Sequence, residues 1–230
     1  MSSSRKQYEG GILEHFDVTH SNNEFHIEGI PDGDKVIAIN DPLARRLADL
    51  ILHRHDLEFA LESLKSVNLV DKSNFIVQES LWRSSIIHLM KCFGDGERFS
   101  LSAEKILKTE PSVAKEVFDY FKAIRNKHLV HDENSYAQSL PFAVLNNGKK
   151  IYKVEKIVCM GAWVRTLEQA NYSNLNMLLS KILSWVISEF DTLAEKITSD
   201  LEAKSFEELS SMMPAKFEKP KIEEITLKRK

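Results

Sequence analysis

Leu178, Leu179, Ile182, Val186, Phe190, Leu193 and Ile197 follow Leu175 at offsets of three or four residues, or sums of them. That spacing keeps one apolar stripe on one face of a helix, because each residue advances about 100° around the axis. The pattern predicts a long helix from about Trp163 to Ala203, with a break near Asn171–Asn176. A second stripe, Leu43, Leu47, Leu50, Ile51, Leu57, Leu61 and Leu64, predicts a helix that Asp41 caps, Pro42 opens and Val67 ends. A third, Phe75, Trp82, Ile86, Leu89, Met90 and Phe93, runs from an Asp71 start to a stop at Phe93-Gly94-Asp95-Gly96. Ser100-Leu101-Ser102-Ala103-Glu104 suggests a short capped helix through Leu107, and Pro111 opens the next one. Helices that each carry one apolar face bury it against one another. The expected fold class is all-α, an antiparallel helical bundle.

Two stretches depart from the helical period. Phe142–Leu145 and Lys150–Val158 flank Asn146-Asn147-Gly148-Lys149, and Asn-Gly is a strong hairpin-turn signal. A β-hairpin insertion over 140–160 follows. Lys149, Lys150, Lys153 and Lys156 make it locally basic, in keeping either with an RNA contact or with a guarded sheet edge. A candidate N-terminal hairpin runs from Glu24 to Ile30, through a Pro31-Asp32-Gly33-Asp34 turn, to Lys35–Ile39. The organisation read from the chain is an extension over 1–40, a helical body over 41–203 and a flexible charged tail over 204–230.

A chain of 230 residues supports one sizeable core. Its net charge of −3 gives no global attraction to nucleic acid, so any RNA contact must be a local basic patch. Cys92 and Cys159 are the only cysteines, too few for a disulfide framework, and a reduced cytoplasmic setting is the simpler expectation. No apolar run reaches the roughly 18 residues that a membrane span needs, and no apolar segment follows Met1-Ser2-Ser3-Ser4-Arg5-Lys6 as a secretory signal requires. No Gly-rich phosphate loop, GxSxG elbow or Cys-x-x-Cys pair occurs, and no cofactor is expected.

The chemistry concentrates in Arg125-Asn126-Lys127-His128-Leu129-Val130-His131-Asp132. With Val117 set at zero on a regular helix, Phe121 and Ile124 fall within about 40° of it. His128 falls at roughly +20°, His131 at roughly −40° and Arg125 at roughly +80°. Basic and titratable groups thus continue an apolar stripe, and Asn126 points the other way. Such a stripe is costly unless its polar groups are paired or face a cleft. Glu79 sits about 40° from Phe75 in the third stripe, between Gln78 and Arg83, and also needs a partner. The Arg125–His131 cluster is one candidate for that partner, and the alternative is that Glu79 reaches solvent at the bundle edge. Two other titratable groupings read as less informative. His53-Arg54-His55-Asp56 is expected to be a solvated face, since adjacent helical residues do not face each other. His88 and Cys92 stand four apart, but no second pair completes a metal set.

The Arg125-x(5)-His131 spacing at the end of a bundle helix resembles the Arg-x(4–6)-His signature of HEPN domains (higher eukaryotes and prokaryotes nucleotide-binding). The run from Phe121 to Asp132 is most similar to the AbiU-type abortive-infection branch of that superfamily. The resemblance implies a metal-independent endoribonuclease in phage defence or a toxin–antitoxin pair. It further implies RNA as substrate, a homodimer whose two motif helices face each other, and a cognate antitoxin protein as a further partner. Arg125 and His131 are then the leading candidate catalytic residues, with Asn126 and His128 beside them and Glu79 and Asp132 in support. The residue types suit the chemistry. RNA cleavage through the ribose 2′-OH needs proton carriers of near-neutral pKa and a fixed cation for the phosphate. The geometry fits only in part, because Arg125 and His131 diverge by about 120° on a regular helix. They converge if the helix end unwinds or a second copy contributes. Two alternatives stand: a catalytically inactive HEPN-like module that binds a nucleotide or partner protein, and a purely structural polar helix cap.

Overall fold

A computed structural model describes residues 18–21, 24–27, 33, 35–131, 133–216 and 221–227. The described chain is mostly helical, with two separate two-stranded antiparallel sheets. Strand β1 (Val18–Ser21) pairs with β2 (Glu24–Ile27), and β3 (Ala137–Leu145) pairs with β4 (Val154–Trp163). The helices are α1 (Pro42–Val67), α2 (Phe75–Lys91), α3 (Ala103–Ile106), α4 (Ser112–Ile124), α5 (Gln169–Glu202) and α6 (Phe206–Ser211). A π-helical turn, Arg125–Val130, extends α4, and a 3₁₀ turn covers Ile222–Thr226. This composition is compatible with a helical bundle that bears a β-hairpin.

The chain divides into two compact units. One combines the described residues up to His55 with Asp95–Ser100 and the described residues from Leu183 onwards. The other combines Asp56–Gly94 with Leu101–Ile182. In the second unit Leu57, Leu64, Trp82, Ile86, Leu89, Phe121, Leu175, Leu179 and Ile182 are fully or almost fully buried, each from a stripe legible in the sequence. Trp82 meets Phe121 edge-to-face with ring centroids 6.0 Å apart.

Local chemistry explains the boundaries. Asp41 accepts the Leu43 N–H at 2.6 Å and starts α1 as expected. The start of α2 shifts: Asp71 turns back onto Ser73, and Asn74 is the residue that caps the helix through Val77 N–H. Ser102 caps α3 through the N–H of Lys105 at 3.2 Å.

The second hairpin is longer than its turn signal suggested. Its strands reach Ala137 and Trp163, so Trp163 closes a strand and does not open a helix. The last helix begins only at Gln169 and runs unbroken through Asn171–Asn176. The reason lies in the segment between them. Thr166 is buried, accepts the Trp82 indole N–H at 2.9 Å, and through its carbonyl accepts the Asn171 side-chain amide at 2.8 Å. These bonds hold residues 164–168 extended against the core. Gly148, at φ 79°, makes the turn at the hairpin tip.

In the first unit, the expected Glu24–Ile39 hairpin is replaced by the Val18–Ile27 pairing, while Pro31, Asp32 and Asp34 lie outside the described residues. Val36 and Ala38 instead exchange backbone hydrogen bonds with Ala215 and Met213, 3.0 and 2.8 Å long. The region expected to be a flexible tail therefore carries structure at its start. Ser205 and Glu208 form a reciprocal capping box that starts α6.

The His53–Asp56 run is likewise no solvated face. His53 and Asp56 are buried, Arg54 is half-buried, and only His55 is exposed. Asp49 accepts the Phe99 N–H at 3.2 Å, and His53 Nε2 donates to the Phe99 carbonyl at 2.8 Å. One turn of α1 thus holds both backbone groups of Phe99, and Arg46 lies over the Phe99 ring at 4.8 Å. Helical spacing marks residues that share a face, but it is silent on a loop that returns to cover that face.

Candidate functional site

Helix α4 buries Phe118, Phe121 and Ile124 and presents them to the core. Beyond Ile124 the backbone widens into the π-helical turn Arg125–Val130. A π turn uses one more residue per hydrogen-bonded loop than an α turn, so the apolar register is lost there. The stripe therefore does not continue to the two histidines as regular geometry predicted. His128 is half-buried and His131 is exposed. The backbone at His131 is already extended, with φ −130° and ψ 138°. Glu133 N–H bonds to the Lys127 carbonyl at 3.0 Å and closes the widened end.

Arg125 and Asn126 are half-buried neighbours on this turn. Arg125 Nη1 donates to Asn126 Oδ1 at 2.8 Å, so Asn126 is drawn to the guanidinium and does not stand apart from it. No hydrogen bond joins Arg125 to His131 among the described residues. His128 packs its ring on Tyr136, with centroids 5.4 Å apart and planes at 73°, and its buried Nδ1 has no hydrogen-bond partner. Asp132 lies outside the described residues.

Helix α2 packs against the π turn. Its Glu79 carboxylate is 14% exposed and pairs with Arg83 Nε at 2.6 Å, one turn along the same helix. The expected partner on the motif helix is thus replaced by a local one, because an i,i+4 Arg reaches a carboxylate without crossing to another element. Glu79 Oε2 remains buried with no partner. Elsewhere on α2, His88 Nδ1 and Lys91 both bond to Asp56 Oδ1, at 2.9 and 3.0 Å. Buried Cys92 points its thiol at the His88 carbonyl. His88 and Cys92 are therefore each engaged in packing.

A cleft of about 540 Å³ opens beside α2, lined by Phe75, Ile76, Glu79, Ser80 and Arg83 of that helix and by Trp163 and Arg165 after the hairpin. Sequence reasoning missed Arg83, Trp163 and Arg165 as a group. The one signal available was Gly161 inside a strand, where glycine is costly unless something approaches the backbone closely. That something is Trp163: a Cβ built on Gly161 would lie 2.5 Å from the far edge of the indole.

The hairpin's own basic cluster is partly neutralised. Lys150 bonds to Glu155 at 2.6 Å, and that bond raises the Lys150 pKa. No family model, curated protein or solved structure matches the chain. No described helix is long and apolar enough to cross a membrane.

Proposed function

We propose that this chain is a metal-independent endoribonuclease of HEPN type, acting in the cytoplasm in phage defence or as a toxin with a cognate antitoxin. The observation that carries the proposal is the π-helical turn at Arg125–Val130. Wide turns inside α-helices are rare and concentrate at functional positions, since they cost regular hydrogen bonding. Here the wide turn coincides with the Arg-x(5)-His motif and releases His131 onto extended, exposed backbone.

In this reading Arg125, steadied by Asn126, holds the scissile phosphate with its planar fork. His131 takes the proton of the ribose 2′-OH as that oxygen attacks phosphorus. The P–O5′ bond breaks, the 5′ oxygen receives a proton, and a 2′,3′-cyclic phosphate remains. A homodimer brings a second motif to the same phosphate, which supplies the second proton carrier.

Support for self-association comes from the hairpin. Leu140, Phe142 and Met160 share one face and are 52%, 43% and 62% exposed. Apolar patches of this kind mark contact surfaces. Light scattering at micromolar concentration should give twice the chain mass, and a monomer would remove the dimeric part of the proposal.

The second reading is an inactive binding module of HEPN-like shape. What favours it is that Arg125 bonds to its neighbour and not to His131. Incubation with total RNA in EDTA separates the two. Wild type should cut and the Arg125→Ala, His131→Ala double variant should not. A requirement for added divalent metal, or equal cutting by the variant, would sink the nuclease mechanism.

A further inference from the structure

We propose that the cleft beside α2 is a nucleotide subsite for single-stranded RNA: Trp163 stacks on a base while Arg83 and Arg165 hold the flanking phosphates. The choice of RNA over DNA rests on the ribonuclease reading; the site itself rests on its own geometry. The cleft is open to solvent, with room for about 540 Å³ between its walls.

Two features define the ligand: an exposed ring and two cations at one opening. Trp163 is 74% exposed, yet its ring lies along the Gly161 backbone, where any side chain on residue 161 would collide with it. A large aromatic ring laid against backbone, with most of its surface in water, is a stacking platform for a base. Arg83 and Arg165 are both cations with donors to spare. Arg83 commits Nε to Glu79, and its two Nη groups have no partner among the described residues. The Arg165 guanidinium lies over the Phe75 ring at 4.3 Å, which holds it in place by a cation–π contact without consuming its N–H donors.

A nucleotide carries both complements in one unit: a flat ring and an anionic phosphate. An acidic peptide without an aromatic side chain offers no such ring. An apolar peptide leaves both arginines unanswered. The base must be unpaired, because a duplex hides its faces.

The cleft is also tied to the motif. Trp163 and Arg165 flank Val164, whose N–H bonds to the Tyr136 carbonyl at 2.8 Å, and Tyr136 is the residue against which His128 packs. Helix α2, which forms the cleft's other wall, packs on the π turn itself. A strand seated in the cleft is therefore presented to the motif by the same two elements.

The test uses the full chain and a fluorescein-labelled single-stranded 12-mer RNA with 2′-O-methyl riboses, which cannot be cut. Wild type should bind it, and bind duplex RNA more weakly; in the His131→Ala background, unmodified single-stranded RNA of the same sequence, which keeps its 2′-OH, should bind more tightly than the matching DNA. Trp163→Ala should weaken binding about 5- to 150-fold, the span of one lost stacking contact. Gly161→Val should weaken it similarly with the indole still present, because the new side chain displaces the ring. Arg83→Gln with Arg165→Gln should reduce the slope of log K against log salt by about 1.4, two phosphates at about 0.7 each. Thermal midpoints within a few degrees of wild type verify folding of each variant. Binding by these variants within twofold of wild type, or no binding by wild type, overturns the subsite; equal affinity for the DNA overturns its assignment to RNA. The two proposals fail separately. Binding through the cleft with no cleavage of ordinary RNA rejects the nuclease and keeps the subsite. Cleavage with unchanged KM in Trp163→Ala and in the double arginine variant rejects the subsite and keeps the nuclease.

Discussion

Arg125 donates a hydrogen bond to Asn126, its own chain neighbour, at 2.8 Å. On a regular α-helix these side chains diverge by about 100°. They meet here on a turn whose backbone has widened. Asn126 is then a positioning residue for the guanidinium. Asn126→Ala should lower RNA cleavage about tenfold, less than Arg125→Ala does, and Asn126→Asp should retain most activity because it keeps the acceptor. Cleavage rates across the three variants check this. Equal loss in Asn126→Ala and Arg125→Ala would instead give Asn126 a direct part in the reaction.

The two histidines should separate. His131 is exposed on extended backbone, whereas His128 packs on Tyr136. Cleavage in EDTA should fall about 10²–10⁴-fold in His131→Ala, the usual range for a positioned acid or base. His128→Ala should lose less than about tenfold by the same measure. A loss matching that of His131 would make His128 the second proton carrier. Arg125→Lys should also fail badly, since an ammonium cannot reproduce the planar fork.

Thr166 anchors the base of the hairpin through Trp82. Thr166→Val is nearly isosteric but leaves the buried indole N–H unsatisfied, at a cost of about 1–3 kcal/mol. The urea midpoint should drop with an unchanged slope. In a Trp82→Phe background the same substitution should cost much less. An equal cost in both backgrounds would show that the bond is not what stabilises this segment.

Acid should fray α6. The Ser205 backbone N–H, and then its side chain, hold the Glu208 carboxyl below its ordinary value. A depressed folded-state pKa means that the stabilisation is present above the unfolded value and is lost as pH falls through the folded one. A carbon-detected titration should place the Glu208 midpoint below the ordinary glutamate value. Exchange of the α6 amides should quicken as Glu208 protonates, and Glu208→Gln should remove that pH dependence. A Glu208 midpoint at the ordinary glutamate value would argue against the capping box.

The helices and most of their buried residues were legible in the sequence. Leu57, Leu64, Ile86, Leu89, Leu175, Leu179 and Ile182 are buried where three- and four-residue spacing put them, since burial of an apolar face is a local, periodic demand. The Asp41 cap and the Asn146–Gly148 turn were legible for the same reason: each is settled by a few adjacent residues. What spacing could not show is where the period breaks. Nothing in Arg125–Val130 by itself announces a π turn, yet that turn sets His131 free of the stripe and turns Asn126 towards Arg125. Nor does spacing find partners far apart in the chain. Thr166 under Trp82 and Asp49 and His53 around Phe99 are pairings that exist only once the chain has folded back. The cleft is of that kind as well. Its arginines are 82 residues apart in sequence, and only the packing of the hairpin base beside α2 brings them to one opening.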